Sequence, residues 1–314
     1  VAPTAAGYRI GIDENGLGAR LGPLIVTAAL ARVTPAGARW LAAGGHAALS
    51  ADLGDSKVLA SHADSRRGEA WARALAECPG QPPAACPAAL FERLSLEGPG
   101  ALRARCPAAA RDQCWGHDDE PFRASDALVV RVRGHLRALA AQGVLIERVL
   151  TSVVCTARLN EERAAGRSRF VVDLHAMERL LLRLRDSVDA DVHAVCGKVG
   201  GIGDYPRFFG PLAGRLHSVI AAERAHSAYH LPGLGQVHFV MDADASDALV
   251  MLASLVGKYF RELFMGRIGR FHAGVAARDL PSGYHDPRTD RFVAETAGSP
   301  SRDRVPPTCF ERDR

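Results

Sequence analysis

The 314-residue chain lacks any apolar run that reaches the roughly 20 residues of a membrane helix: its longest, such as PLIVTAAL at 23–30, are interrupted early. A membrane span is excluded on that ground. The opening VAPTAAGYRIGID has no basic segment leading into a hydrophobic one, so no secretory signal is expected, and a cytoplasmic protein with reduced cysteines is the expectation. No internal repeat is present. Lysine is nearly absent: Lys57, Lys198 and Lys258 stand against 36 arginines. Asparagine is rarer still, at Asn15 and Asn160. Under such an arginine bias, a retained lysine marks a place where a compact ammonium serves better than a planar guanidinium, unless it survives by chance. What is present is ordinary for a soluble globular protein of one large domain or two modest ones, with 47% hydrophobic and 24% charged residues. The net charge of +4 suits a polyanionic partner without requiring one.

Residues 8–13 (YRIGID) alternate, and 24–33 (LIVTAALARV) form a β-rich run, so the two predict a hairpin across a glycine-rich turn. Helices are predicted after Pro35, over 61–77, 125–141, 169–185 and 249–271, and strands over 148–157, 190–199 and 236–241. A short helix after the turn LPSGYHDPRTDRF closes the domain. Strands mixed with helices, opening on a hairpin, indicate an α/β fold with a mixed β-sheet flanked by helices. The domain is discontinuous, 1–77 and 123–297; residues 78–122 read as a Cys/Pro-rich insertion, and 298–314 as a disordered tail.

Asp13 and Glu14 fall where the first strand meets the glycine turn, and Asp244 lies between a strand and the start of a long helix. Carboxylates brought from separate elements of a sheet can converge on hard divalent cations. The alternative is that Asp244 and its neighbours cap the helix while Asp13 and Glu14 are solvated surface. GLGARLG after a strand is also reminiscent of a dinucleotide-binding turn, but Gly22-Pro23 opens a strand-like run rather than the helix that motif needs.

Taken together these stretches resemble the type 2 ribonucleases H, the ribonuclease HII family. DENGLGARLGPL resembles its first motif, LGDSKVL its Asp-Ser-Lys motif at Asp55, Ser56 and Lys57, and RLNEE its Leu-Asn-Glu segment at Asn160. MDADASDALVMLASLVGKYFREL sets Asp244 ten residues before Ser254, with Lys258 as the helix lysine, and SGYHDPRTDRF brings Tyr284. The similarity covers about 8–75 and 146–296. It implies a ribonuclease H-like fold and a metal-dependent endonuclease that cuts an RNA strand, or a single ribonucleotide, in an RNA/DNA duplex. The implied cofactor is Mg²⁺ or Mn²⁺, held by Asp13, Glu14 and Asp244. The implied substrate contacts are Asn15, Gly16, Gly18, Lys57 and Tyr284, the last beside the ribose whose 2′-hydroxyl distinguishes RNA.

Two departures from that pattern stand out. Leu17 replaces the arginine of the family's Gly-Arg-Gly, and VCGKVGGIGDY puts Gly197 where the family carries a third Asp. Side chains alternate along a strand, so Gly197 would share a face with Val195, not with Lys198. Asp173 in FVVDLH is the alternative match for that third Asp, but it falls on a predicted helix and is expected at the surface; Asp242, Asp247, Asp204 and Glu223 are candidates to restore the lost charge. The alternative function is a catalytically impaired nucleic-acid-binding relative. In the insertion, Cys78, Cys86, Cys106 and Cys114 form two Cys-x₇-Cys pairs with His117 close to the last, a spacing wide for a structural Zn²⁺ site; the favoured alternative is free cysteines in a loose loop.

Overall fold

The structure is a computed structural model describing residues 7–60, 64–77, 80–116, 120–199, 202–273 and 280–313. The chain begins with strands β1 (Gly7–Asn15) and β2 (Leu24–Val33) and helices α1 (Pro35–Ala42), α2 (Ser56–Leu59) and α3 (Arg66–Leu75). Short helices α4 (Pro87–Leu94), α5 (Pro99–Ala104) and α6 (Asp112–Trp115) lead to α7 (Asp126–Ala141) and β3 (Val144–Val154). Next come α8 (Thr156–Ala164), α9 (Arg169–Arg185), β4 (Val192–Gly197), β5 (Ser218–Ala222), β6 (His226–Leu231) and β7 (Gly235–Val240). The long α10 (Ala248–Ala273), α11 (Pro287–Thr296), α12 (Pro300–Asp303) and α13 (Pro307–Phe310) end it. The seven strands form one mixed sheet in the order β3-β2-β1-β4-β7-β6-β5, with β1, β4 and β7 parallel at its centre. This is the α/β class expected, a mixed sheet flanked by helices.

Alternation in β1 decides which helix covers which face. Ile10 and Ile12 point into the cluster containing Leu174, Met177 and Leu181 of α9. Gly11 faces the other way, where a Cβ would lie 2.3 Å from the backbone carbon of Leu249, so only glycine lets α10 approach this closely. Leu252, Leu255 and Val256 of α10 then cover Ile25, Ala29 and Ala31 of β2. Because β2 is buried on both faces between β1 and β3, it reads as a nearly continuous apolar run.

The structure corrects two expectations. The cysteine-rich stretch is not a loose loop: Phe91 and Trp115 pack edge-on against Phe264, and Leu90 and Leu94 join the same core. The tail expected to be disordered instead forms α12 and α13 and buries Val305 and Phe310, with Leu21 bridging to Glu311. Its order comes from long-range contacts: Asn160 donates to the carbonyls of Thr308 and Glu311 and accepts from the Asp313 amide at 2.8 Å. The four cysteines weighed as zinc ligands are not all described. Cys78 and His117 lie outside the described residues, and Cys86 stands at the N-cap of α4. Cys106 and Cys114 instead line a cavity of about 380 Å³ with Cys155 and Cys309. Burial pushes the Cys114 thiol up to about 12, which keeps it protonated.

Candidate functional site

The carboxyl ends of three adjacent parallel strands open onto one cleft, the position where open α/β sheets place their ligands. β1 ends in Asp13, Glu14 and Asn15, β4 in Gly197 followed by Lys198, and the chain leaving β7 brings Asp242 and Asp244. Ser254, Lys258, Arg261 and Glu262 from α10, Ser56 and Lys57 from α2, and Tyr284 complete a cleft of about 530 Å³. Every residue expected at the site therefore lines the same space, including Gly16 and Gly18. Asp13, Asp244, Lys57 and Tyr284 come from distant parts of the chain, and only folding unites them.

Asp13 and Glu14 are both pushed well above the usual carboxylate range, first by burial and then by neighbouring negative charge. The Ser254 hydroxyl opposes this at Asp13. Asp244 is held by the Lys57 ammonium at 2.9 Å, which in turn raises the lysine's pKa. Lys57 is placed by local geometry: Asp55 caps α2 by accepting from the Lys57 amide at 2.7 Å, and the Ser56 hydroxyl meets Ser254 at 2.9 Å. Lys258 donates to the carbonyls of Ser56 and Ala60. It therefore braces α2, which carries Lys57. Asn15 donates to the Ser254 carbonyl at 3.2 Å, tying the end of β1 to α10. Among the described residues Asp242 is the one non-glycine residue with a left-handed φ, 53°, a strained turn that swings Asp244 back over the sheet.

The glycine turn is pinned from outside the cleft. Gly283 accepts from the amides of Arg20 and Leu21 at 2.7 and 2.9 Å, and the buried Arg312 donates to Gly22 at 2.8 Å and to Gly16 and Leu17. Arg169 reaches Ala19 at 3.2 Å. Sequence reasoning missed Arg312, Arg169 and Arg261. Arg312 gave no signal in its polar surroundings, but Arg261 did, standing one turn after Lys258 on the same helical face. Arg261 is 1% exposed, stacks 4.6 Å from the Tyr284 ring, and donates to the Ser282 carbonyl, while its Nε and Nη1 have no partner among the described residues. Its guanidinium lies beside Gly16, close to where Leu17 lacks a donor.

A Cβ built on Gly197 would lie 2.8 Å from Asp13 Oδ1 and 3.4 Å from Glu14 Oε2. Gly197 thus faces both carboxylates. Of the four candidates for the lost charge, only Asp242 lines the cleft. Asp247 caps α10, accepting from Leu249 and Val250 at 2.9 and 3.0 Å, while Asp204 and Glu223 are exposed elsewhere. Asp173 departs most from expectation: it lies on α9 as predicted, but it is 0% exposed, and neither carboxylate oxygen has a hydrogen-bond partner among the described residues.

The donor set fits a hard divalent cation. Asp13 and Glu14 are oxygen donors whose ionisation costs energy in the absence of a counter-charge. Among the described residues no group of three such side chains is placed to hold an ion, and Asp244 is paired with Lys57.

No family model matches the chain, and no curated protein is similar to it. Among solved structures it is similar to Bst-RNase HIII in complex with Mn²⁺, at 14% identity over 99% of this chain and 67% of that one, with a TM-score of 0.48. It is also similar to the RNase HII structure of the PCNA:RNase HII complex from Archaeoglobus fulgidus, at 17% identity, 98% and 95% coverage and a TM-score of 0.46. A third is ribonuclease H2 from Pyrococcus horikoshii OT3, at 15% identity, 97% and 92% coverage and a TM-score of 0.40. At identities and TM-scores this low, nothing about this chain's residues follows from theirs. The cleft itself defines what it can do.

Proposed function

We propose that the cleft binds divalent metal, Mg²⁺ or Mn²⁺, through Asp13, Glu14 and Asp244, and cuts the RNA strand, or a single ribonucleotide, of an RNA/DNA duplex. The observation that carries this reading is the convergence of those three carboxylates with Lys57 and Tyr284 at the ends of the parallel strands. A cation there supplies Lewis acidity towards a phosphate and lowers the pKa of its bound water. The chain's own residues do the rest. Lys57 is a mobile point charge able to pass from Asp244 to a phosphate once the carboxylate has another counter-ion. Gly18 is exposed and Gly16 lines the cleft beside it, and their backbone amides are the donors offered to a ribose or phosphate. Tyr284, 41% exposed with one ring face against Arg261, presents its other face to a sugar.

A second reading, a relative that binds nucleic acid without cutting it, is favoured by Gly197 standing directly opposite Asp13 and Glu14. Incubation with three duplexes, RNA/DNA, DNA with one ribonucleotide, and all-DNA, in Mg²⁺ or Mn²⁺ separates the two. Cleavage confined to the RNA-bearing duplexes and lost in Asp13→Asn supports the nuclease. Binding of all three without cleavage supports the second reading, and neither binding nor cleavage contradicts both.

A further inference from the structure

Four of the seven cysteines line one cavity of about 380 Å³, and they reach it from separate segments: Cys106 after α5, Cys114 in α6, Cys155 before α8 and Cys309 in α13. Leu102, Trp115, Val153, Phe264 and Ile268 supply much of the remaining wall. Thiols behave here as small, soft hydrophobes, and burial, which pushes Cys114 and Cys155 up, keeps those two neutral. Protein interiors are close-packed and leave few voids larger than a water molecule, so a chamber of this size with such walls is a ligand-sized space rather than a packing defect. Its polar side chains are nearly all engaged. Gln113 donates to the Cys309 carbonyl at 3.2 Å and meets His272 through its oxygen, and Thr156 donates to the Gly22 carbonyl at 3.2 Å. Arg158 holds Glu161 and Glu162 at 3.3 and 2.5 Å. The exception is Arg105, an exposed residue whose side chain takes part in no hydrogen bond or ion pair among the described residues. Arg105 also lines an adjoining cavity of about 230 Å³, which shares Val153 and Arg158 with the first and adds Arg179 and His175. The acids of that second space are already in use, Glu97 accepting from the Ser152 hydroxyl at 2.7 Å and Glu162 from Arg158.

We propose that this thiol-lined chamber binds an amphipathic hydrocarbon carboxylate, its chain lying among Leu102, Trp115, Phe264 and Ile268 and its head paired with Arg105. Benzene fills a cavity of about 150 Å³, so this one takes a chain of roughly ten carbons. A carboxylate suits Arg105 because its two oxygens match the guanidinium fork, and no resident acid competes for that guanidinium. An uncharged chain buries the same apolar surface but leaves Arg105 unpaired, so the charge sets the preference for the anion. The thiols serve as wall and not as a metal centre in this arrangement, since among the described residues no three such groups are placed to hold an ion. The chamber and the strand-end cleft share no lining residue, so this site stands whether or not the cleft cuts nucleic acid.

The test is equilibrium binding of decanoate, kept below its micellar concentration, and of decanol, the uncharged chain of equal length, to the whole chain. The unmodified protein should bind decanoate saturably and decanol about tenfold more weakly, as for loss of one charge-assisted hydrogen bond. Arg105→Gln should bring decanoate down to the level of decanol. Cys106→Phe, which fills the chamber, should abolish binding of both. A second readout needs no variant: bound decanoate should slow maleimide labelling of Cys106, Cys155 and Cys309 several-fold, followed by mass spectrometry, and leave Cys86, a free thiol outside the chamber, unchanged. Should Cys106→Phe fail to fold, that protection decides the location. Absence of saturable decanoate binding overturns the proposal, as does decanol binding equally well. Decanoate affinity untouched by Arg105→Gln, or protection of Cys86 as great as that of the chamber thiols, overturns it too.

Discussion

At the scale of single residues, the cleft is a balance between carboxylates that repel one another and a few cations that hold them. Lys57 now neutralises Asp244, so a metal must compete with its ammonium. Lys57→Met should therefore raise Mn²⁺ affinity several-fold while weakening duplex binding and flattening its salt dependence by about one phosphate contact. Calorimetric Mn²⁺ titration and fluorescence anisotropy against salt check the two arms; loss of both affinities would contradict the role given to Lys57. Gly197→Asp places a Cβ against the far end of the Asp13 side chain, so Asp13 must rotate before the new carboxylate can share an ion. It is expected to fold and to lower the metal concentration needed for cleavage. An unchanged requirement would mean that the position no longer matters. Some of this was legible in the sequence and some was not. The carboxylates, Lys57 and Tyr284 were visible because rare residues sat in recognisable stretches. Asp173 was misjudged as surface because the helix was weighed as a whole. Its spacing from Met177, Leu180 and Leu184 already put it on the buried stripe.

At the scale of elements, the hairpin, α9 and α10 were readable because each is long and strongly patterned. β5 and β6 were not: SVIAA is an exposed edge strand without alternation, and HSAYHL hides its buried face behind histidines. Those histidines have a consequence. Arg9, His193, His238 and His226 form a diagonal row across β1, β4, β7 and β6, with Asp247, just before α10, acting on Arg9 and His46 acting on Asp247. The His193 and His238 rings lie 4.4 Å apart, and His226 Nε2 meets His238 Nδ1 at 2.9 Å. Burial and then neighbouring positive groups hold His193 down at about 4 and His238 at about 3. An imidazole with a lowered folded-state pKa is favoured neutral by the fold. Its stabilisation is complete above the unfolded value of about 6.5 and drains away as pH falls towards 4. The melting temperature should drop by several degrees over that window, and His238→Gln should shallow the slope. A slope unaltered by that substitution would place the acid sensitivity elsewhere.

At the scale of the whole molecule, the C-terminal segment closes a circuit from α13 back to the glycine turn. Arg312 donates to Gly16, Leu17 and Gly22, so the last residues set the shape of a turn at the opposite end of the sequence. No local pattern announces this, because the segment is polar and its order is supplied by distant carbonyls and by Asn160. Arg312→Ala should destabilise the protein by roughly 2–4 kcal/mol, as for loss of buried charged hydrogen bonds, and should weaken duplex binding more than metal binding. Denaturant unfolding with parallel titrations tests that order of effects; equal loss of both affinities would point to general unfolding. The central claim is that folding gathers Asp13, Glu14 and Asp244 into a site for divalent metal. The most direct measurement is isothermal titration of Mn²⁺ into the unmodified protein and into Asp13→Asn. The account predicts saturable binding in the first and its loss in the second without loss of fold, whereas absent binding in both, or equal binding in both, would contradict it.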